Sequence, residues 1–124
     1  FVRRFFSGGW DAASASQAPM VVFNRRDALQ SRFLETAFGP GTDPPRHYVP
    51  ASWDFLQAVR LGFGWGMLPD LQTGELLSDG SLVLLSPDAF LDVPLFWQQW
   101  RVELPALSRV AAALSAAAGK GLLY

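Results

Sequence analysis

The composition of this chain excludes several classes of protein. Half of its 124 residues are hydrophobic, 17% are charged, and ten basic side chains nearly balance eleven acidic ones. With a net charge near zero, these residues are not expected to contact nucleic acid directly. No apolar run approaches the length of about 18 residues that spans a membrane, and the lack of cysteine excludes disulfides and thiolate zinc sites. A chain of this size and composition folds as a globular domain, and the lack of cysteine is compatible with the cytoplasm.

The chain is expected to begin inside a helix and therefore to be a fragment of a longer protein. Its first residue is Phe1 rather than methionine, and residues 1–6 have a helical pattern that the sequence SGG at 7–9 ends. Residues 10–18 are small and polar around one aromatic side chain. We predict a loop there, with a single helical turn at most.

Strands and helices alternate over the following stretch. Residues 20–23 are apolar and β-branched, which predicts a buried strand. Asp27 can cap the next helix, and Gly39 can end it. A second short strand is predicted over residues 47–49. The spacing of apolar residues predicts the inner face of the helix as Leu29, Phe33, Leu34 and Phe38.

Residues 52–69, SWDFLQAVRLGFGWGMLP, join a helix to a strand through three glycines. Ser52 is a good N-cap, and Gly62 can end the helix in the left-handed conformation. Gly64 and Gly66 indicate tight packing or the close approach of a ligand, and we expect a positive φ at Gly64. Because these glycines follow a helix, they do not form a dinucleotide-binding loop. The helical spacing is carried by Trp53, Leu56, Val59 and Leu61.

The predicted elements continue with a third strand over residues 65–68, a weak helix or turn over 71–77 and a fourth strand over 82–85. Alternation of this kind favours an α/β layer with a largely parallel sheet. Ligands of such folds bind at the carboxyl ends of the strands.

The end of the chain predicts one long strand and one long helix. Residues 93–102, VPLFWQQWRV, carry bulky side chains on both faces, so the strand lies inside a sheet or crosses between two lobes. Pro105 begins the last helix, which Gly119 ends. Its apolar stripe is Leu107, Val110, Ala111, Leu114 and Ala118.

No catalytic constellation is present in the sequence. His47 is the single histidine, so neither a serine triad nor a two-histidine metal site can be built from this chain alone. Residues 24–27, NRRD, follow a predicted strand where an α/β fold binds ligands. In the alternative interpretation, Asp27 is only a helix cap and both arginines are solvated. Trp53 and Trp65 are candidates for core packing or for an aromatic cage.

Three stretches together resemble the effector-binding domain of LysR-type transcriptional regulators. They are VVFNRRDALQSRFL (21–34), PPRHYVPASWDFLQAVRLGFGWGMLP (44–69) and DVPLFWQQWRVELPALSRV (92–110). The segment AVRLGFGWGMLP resembles the general signature of that family. FNRRDALQ and PLFWQQWR resemble its ArgP/LysG group, which controls the export of arginine and lysine.

The resemblance implies a fold like that of periplasmic binding proteins, in which two α/β lobes joined by crossing strands hold the effector between them. Residues 1–87 would form most of the second lobe, 88–118 the strand and helix that return to the first lobe, and 119–124 a tail. The family's N-terminal winged helix-turn-helix lies outside this chain. DNA binding would therefore belong to the parent protein.

The resemblance also implies a function. The chain would sense a small-molecule effector, lysine or arginine, as part of a cytoplasmic homodimer or homotetramer, with no cofactor, catalytic residue or membrane contact. The alternatives are a solute-binding protein of the same fold that does not regulate DNA, and an enzyme of the same lobed architecture.

The resemblance implies an effector site made of two loops. The loop before the helix that begins near Ser52 would offer N–H groups and a hydroxyl to the effector's carboxylate, and the end of the first strand would face the cleft. Asp27 or Asp54, with a nearby tryptophan face, would pair with the effector's cation. The effector-binding residues implied are Phe23, Asn24, Asp27, Pro50, Ala51, Ser52, Asp54 and Trp65.

Overall fold

The computed structural model describes residues 1–101 and 104–122, which fall into two compact units, Phe1–Leu91 and Asp92–Tyr124. The chain has the mixed helix and strand content of the predicted α/β class. The elements of the first unit are α1 (Val2–Phe5), α2 (Ala12–Gln17), β1 (Met20–Val22), α3 (Leu29–Phe38), β2 (Arg46–Tyr48), α4 (Ser52–Arg60) and α5 (Asp70–Ser78). The second unit contains α6 (Pro105–Gly121).

β1 is the central strand of the first unit. It pairs in parallel with β2, in a register that sets Val21 opposite His47. On the other side of β1, Trp65 forms a parallel bridge to Met20. This single bridge is the part of the predicted third strand, residues 65–68, that forms. Every residue of β1 is buried, as expected for a strand covered on both faces.

The two crossover helices lie on opposite faces of this sheet. α3 connects β1 to β2, whereas α4 leads from β2 back past β1 to Trp65, and right-handed crossovers in opposite directions place their helices on opposite faces. The packing agrees, because Met20 and Val22 share one core cluster with Phe33 and Leu34 of α3.

Aromatic rings dominate the core on the α3 face. The Trp65 ring meets Trp10 edge-on at a centroid distance of 5.4 Å and Phe33 at 6.2 Å. Trp10 also contacts Phe38 at 5.3 Å. The aromatic anchor of the predicted loop is therefore a core residue.

Helix α2 shows that the loop predicted for residues 10–18 is wrong. Its N-terminus is fixed by a capping box, in which Ser14 N–H donates to Asp11 Oδ1 (2.8 Å) and Asp11 N–H donates to Ser14 Oγ (3.0 Å). Ala15 and Ala18 are fully buried. The small residues that suggest a loop in the sequence instead allow close packing.

The C-terminus of α4 follows the prediction. Gly62 has φ = 77°, its N–H donates to the Val59 carbonyl (3.0 Å), and Phe63 N–H donates to the Ala58 carbonyl (3.0 Å). These two hydrogen bonds form a Schellman motif, which satisfies carbonyls at the helix end.

The N-terminus and inner face of α4 differ from the prediction. The N-cap is Ala51, with no side-chain capping bond, so Ser52 is the first helical residue and not the cap. The buried face consists of Phe55 and Leu56, whereas Trp53 is 71% exposed. Leu61, also predicted on the inner face, is exposed.

The two glycines around Trp65 serve close packing. Gly64 does not have a positive φ, so the strained turn predicted there is wrong. A Cβ atom at Gly64 would lie 2.7 Å from the Pro19 carbonyl oxygen, and one at Gly66 would lie 2.9 Å from the Phe55 ring. The missing side chains let this segment approach both β1 and α4.

Two predicted strands do not form within the described residues. Residues 82–85 have no ladder partner, and Leu82 N–H donates instead to the Leu76 carbonyl at 2.8 Å. Residues 93–101 also have no helix or strand structure, and Val102, the last residue of that prediction, lies outside the description. A strand requires a hydrogen-bonded neighbour, which an apolar pattern alone does not supply.

Helix α6 begins at Pro105 as predicted but runs through Gly119 to Gly121. The start of the predicted tail is thus helical, and the tail's last two residues, 123 and 124, are not described. No residue of α6 is buried. In the part of the chain that the structure describes, no helix has the length and apolar character to cross a membrane.

Candidate functional site

The carboxyl ends of β1 and β2 lie side by side, because the two strands are parallel. Val49 N–H donates to the Val22 carbonyl at 2.9 Å and extends the ladder to the sheet edge. Residues 23–28 leave this edge toward α3, and residues 49–51 leave it toward α4. Seven of the eight predicted site residues belong to these loops or to the first turn of α4.

The loop after β1 is closed by two of its own side chains. Asn24 Oδ1 accepts hydrogen bonds from the N–H groups of Arg26 (2.8 Å) and Asp27 (3.2 Å). Asp27 Oδ2 accepts from Phe23 N–H (3.0 Å), and its Oδ1 accepts from Leu29 N–H (3.0 Å). The half-buried Asp27 therefore ties the end of β1 to the start of α3. The N-cap itself is Ala28, so Asp27 stands one residue before the position that the sequence predicts for it.

A shallow groove of about 270 Å³ opens between this loop, the start of α3 and one face of β2. Its lining residues are Val22, Asn24, Arg25, Asp27, Ala28, Ser31, Arg46 and Tyr48. Of the predicted site residues, the structure brings Asn24 and Asp27 together here. The groove is large enough for one end of a small ligand.

Arg46 and Tyr48 are two residues of this site that are absent from the prediction. The strand register sets Arg46 opposite Met20 and Tyr48 opposite Val22, so both side chains stand on the face that α3 covers. The two-residue alternation of a strand puts them on one side and His47 on the other. A predicted register for β2 would have identified both residues.

The lining of the groove contains one paired arginine and one arginine without a salt bridge among the described residues. Arg46 pairs with Asp43 at 2.5 Å, whereas Arg25 forms no salt bridge within the described part of the chain. At the start of α3, the first intrahelical bond runs from Arg32 N–H to the Ala28 carbonyl (2.9 Å). The N–H groups of the helix's first turn lie before that bond, and they add the positive end of the helix dipole.

The remaining loop residues of the prediction lie at the start of α4 and do not line the groove. Asp54 is exposed in the first turn, and its side chain makes no hydrogen bond within residues 1–101. The first intrahelical bond runs from Phe55 N–H to the Ala51 carbonyl (2.8 Å), which leaves the earlier N–H groups outside the ladder. This group comprises Pro50, Ala51, Ser52 and Asp54.

Trp65 and Phe23 neither line the groove nor lie at the start of α4. The Trp65 side chain is 5% exposed within the aromatic core, and its buried indole N–H has no hydrogen-bond partner among the described residues. Phe23 is 36% exposed and contributes its backbone N–H to Asp27. The exposed indole near this edge of the sheet belongs to Trp53, in α4.

A second, more apolar groove of about 370 Å³ contains none of the predicted site residues. It lies where the end of α4 meets α1, and it is lined by Phe1, Arg4, Phe5, Pro19, His47, Gly62 and Phe63. The histidine lies at its wall without a second metal-ligating side chain. Across residues 1–101 and 104–122, no cluster of histidine and carboxylate groups could hold a metal ion.

Curated relatives show which proteins the chain is similar to. The chain is 42% identical over 118 residues to the HTH-type transcriptional regulator LysG of Mycobacterium tuberculosis, an alignment that covers 95% of this chain and 39% of that protein. It is 37% identical over 123 residues to ArgP of Pseudomonas aeruginosa, covering 99% of this chain and 41% of that protein. Over nearly its whole length, the chain is similar to the LysG and ArgP branch of the LysR-type regulators. It spans about two fifths of the length of these relatives.

Solved structures agree with this similarity. ArgP from Mycobacterium tuberculosis superimposes with a TM-score of 0.87 at 41% identity, covering 94% of this chain and 40% of that one. LysG from Corynebacterium glutamicum with bound effector Arg gives a TM-score of 0.77 at 35% identity, covering 88% and 38%. No protein-family model matches the chain. The predicted resemblance to the LysG and ArgP branch is thus confirmed.

Proposed function

We propose that this chain is the effector-sensing part of a DNA-binding transcriptional regulator, and that its effector is a basic amino acid. The observation that carries the proposal is the similarity to the Corynebacterium LysG with bound effector Arg. The sheet edge supports it, since the loops after β1 and β2 offer charged and polar groups where α/β folds bind small molecules. The relatives' names favour neither a solute-binding protein nor an enzyme.

The proposed architecture has two lobes like those of periplasmic binding proteins, with the effector cleft at the carboxyl edge of the sheet. Residues 1–87 would form most of the second lobe, and 88–118 would return to the first. Supporting this, α6 has no buried residue, and Phe96 and Trp100 are 83% and 85% exposed. Apolar side chains exposed to this extent are typical of a surface that another part of a protein covers.

The proposed mechanism of sensing is differential affinity. A ligand changes a conformational equilibrium only as far as it binds one arrangement more tightly than the other. In a homodimer or homotetramer, an effector bound between two lobes would favour one arrangement of subunits. The DNA-binding domains, which lie outside this chain in the proposal, would then sit differently on an operator.

Calorimetric titration of the full-length parent protein tests the function. We expect saturable binding of arginine and lysine and no binding of leucine, which resembles them in size but lacks the side-chain cation. A folded full-length protein that binds neither basic amino acid would contradict the proposal. Recovery of the ligand unchanged after incubation would separate a sensor from an enzyme.

A further inference from the structure

The charge of the groove at the β1 and β2 ends determines which part of a basic amino acid it favours. Two arginines, Arg25 and Arg46, line it beside the carboxylate of Asp27. Because Arg46 is paired with Asp43, Arg25 is the cation of the lining that has no salt bridge in the described part of the chain. The first turn of α3 adds the positive end of its dipole, although Asp27 accepts the first N–H group of that turn, from Leu29. Like charges raise the energy of an ion that enters such a site, so the groove disfavours a guanidinium and favours an anion.

Asp27 is poorly placed to reverse this preference. Each of its carboxylate oxygens already accepts a backbone N–H at 3.0 Å, one from Phe23 and one from Leu29. Those hydrogen bonds hold the loop and occupy one acceptor position on each carboxylate oxygen. The expectation that Asp27 pairs with the effector's cation is therefore less favourable than a structural role.

Arg25 is the cation of the groove that remains available. Arg46 is held by Asp43, whereas Arg25 forms no salt bridge in the described part of the chain. The backbone on either side of Arg25 is fixed, because Asn24 Oδ1 accepts the N–H groups of Arg26 and Asp27. A guanidinium on an ordered loop can bind a carboxylate through two parallel hydrogen bonds, and its planar fork loses less entropy per hydrogen bond than a lysine side chain does.

We propose that this groove is the subsite for the α-carboxylate of the effector and that Arg25 anchors it. The hydroxyl groups of Ser31 and Tyr48 line the same groove and supply further donors. This inference rests on the proposed function, to which it adds an orientation. The effector's cation then lies outside the groove.

The test compares two neighbouring arginines in the full-length protein. Arg25 and Arg26 are both exposed on one loop, but only Arg25 lines the groove. Calorimetry would measure the binding of arginine, of argininamide, which lacks the carboxylate charge, and of citrulline, which lacks the side-chain cation. Arg25→Ala is the test variant, and Arg26→Ala is its matched control.

The expected result is a loss that depends on the carboxylate. Arg25→Ala should weaken arginine binding roughly tenfold to a hundredfold, the range for a hydrogen-bonded charge pair. It should leave argininamide binding unchanged, so the preference of the wild-type protein for arginine over argininamide should disappear. The preference for arginine over citrulline should persist, and Arg26→Ala should behave as wild type.

Three results would overturn the proposal. Arg25→Ala could strengthen arginine binding, which would place the effector's cation in the groove. It could weaken arginine and argininamide equally, or no more than Arg26→Ala does, which would place the carboxylate elsewhere. If Arg25→Ala does not fold, Arg25→Lys replaces it as the test variant. Lysine keeps the positive charge but cannot form two parallel hydrogen bonds, so arginine binding should be weakened less than the roughly tenfold to hundredfold expected for alanine. Failure of the wild-type protein to bind arginine or lysine would instead refute the proposed function.

Discussion

Gly64 illustrates how one missing side chain permits close packing. We predict that Gly64→Ala destabilises the domain by roughly 1–3 kcal/mol, the usual cost of extra atoms in a packed core. The new Cβ would lie 2.7 Å from the Pro19 carbonyl oxygen and 3.1 Å from Val21 Cγ2, so β1 would have to move. Urea unfolding followed by tryptophan fluorescence measures the change.

Gly74 is the matched control for this substitution. It lies within α5, and a Cβ atom there would meet nothing within 4 Å. Gly74→Ala should stabilise the domain by about 0.5–1 kcal/mol, since alanine favours a helix more than glycine does. Equal effects at Gly64 and Gly74 would contradict the packing explanation.

Asp27 is the residue that holds the loop at the site. We predict that Asp27→Ala lowers the free energy of unfolding by about 1–2 kcal/mol, because two backbone N–H groups, of Phe23 and Leu29, lose their acceptor. Asp88→Ala is the control, since Asp88 is exposed and its side chain makes no hydrogen bond within residues 1–101. Chemical unfolding measures the free energy of unfolding of both variants, and equal values would refute this role of Asp27.

The sequence predicts the role of Asp27 better than the role of Gly64, for a physical reason. Asp27 acts on residues two and four positions away, so its role follows from local helix-capping chemistry. The contact that makes Gly64 necessary is with Pro19, which is far away in the chain. Local patterns identified Gly64 as special but assigned the wrong cause.

Helix α2 depends on its capping box, and this gives the element a pH dependence. The Ser14 N–H and hydroxyl hydrogen bonds hold the pKa of Asp11 below its ordinary value. The unfolded chain therefore binds more protons, and stability rises with pH through the interval between the two pKa values. The contribution is complete above the unfolded pKa of 3.8 and is lost as the pH falls through the folded one.

The prediction is that Asp11→Ala is less stable than wild type near pH 6 and that the difference shrinks toward about pH 2. Thermal unfolding by circular dichroism across that range measures it. Ser16→Ala, in the same helix, removes a hydroxyl that donates to the Ala13 carbonyl and takes no part in the capping box. A difference between Asp11→Ala and wild type that stays constant with pH would show that the carboxylate charge is not involved.

Helix α4 ends at a position that requires glycine. We predict that Gly62→Ala costs roughly 1–2 kcal/mol, because alanine is strained at φ = 77°. Gly8→Ala is the control, since Gly8 lacks a positive φ and a Cβ there would meet nothing within 4 Å. Denaturant midpoints compare the two variants. An unaffected midpoint in Gly62→Ala would mean that the helix end can rearrange.

Helices were predicted better than strands at the scale of elements. Apolar spacing, a glycine at a helix end and a proline at a helix start are local signals, and they identify α3, α4 and α6. A strand depends on a neighbour that can come from anywhere in the chain. The apolar run at 82–85 has no such neighbour among the described residues, and the same holds for 93–101.

At the scale of the whole molecule, the predicted site divides between two helix starts. Asn24 and Asp27 lie in the groove before α3, whereas Ser52 and Asp54 lie at the start of α4. Sequence patterns predict this common edge because parallel strands align their carboxyl ends. They do not assign the polarity of the groove, which depends on the register that brings Arg46 beside the loop of Arg25.

The unit that begins at Asp92 gives a prediction about the intact parent protein. By itself, this unit has no helix or strand over residues 92–101, and Leu95 and Trp97 are 69% and 59% exposed. The sequence predicts a strand over 93–102, and the proposed architecture pairs it with parts of the protein outside this chain. Arg101 then offers a trypsin site whose accessibility depends on that pairing.

We expect trypsin to cut after Arg101 rapidly in the isolated 124-residue chain and at least roughly tenfold more slowly in the full-length protein, because a paired strand must open before cleavage. Arg60 is the internal control, since it lies exposed in the last turn of α4 within the first unit, Phe1–Leu91. Mass spectrometry of timed digests measures both cleavages. If both sites are cut at the same relative rates in the two proteins, residues 93–102 do not form the crossing strand. Selective protection of Arg101 would support the lobed architecture, since protection of one site alone cannot come from a general change in stability.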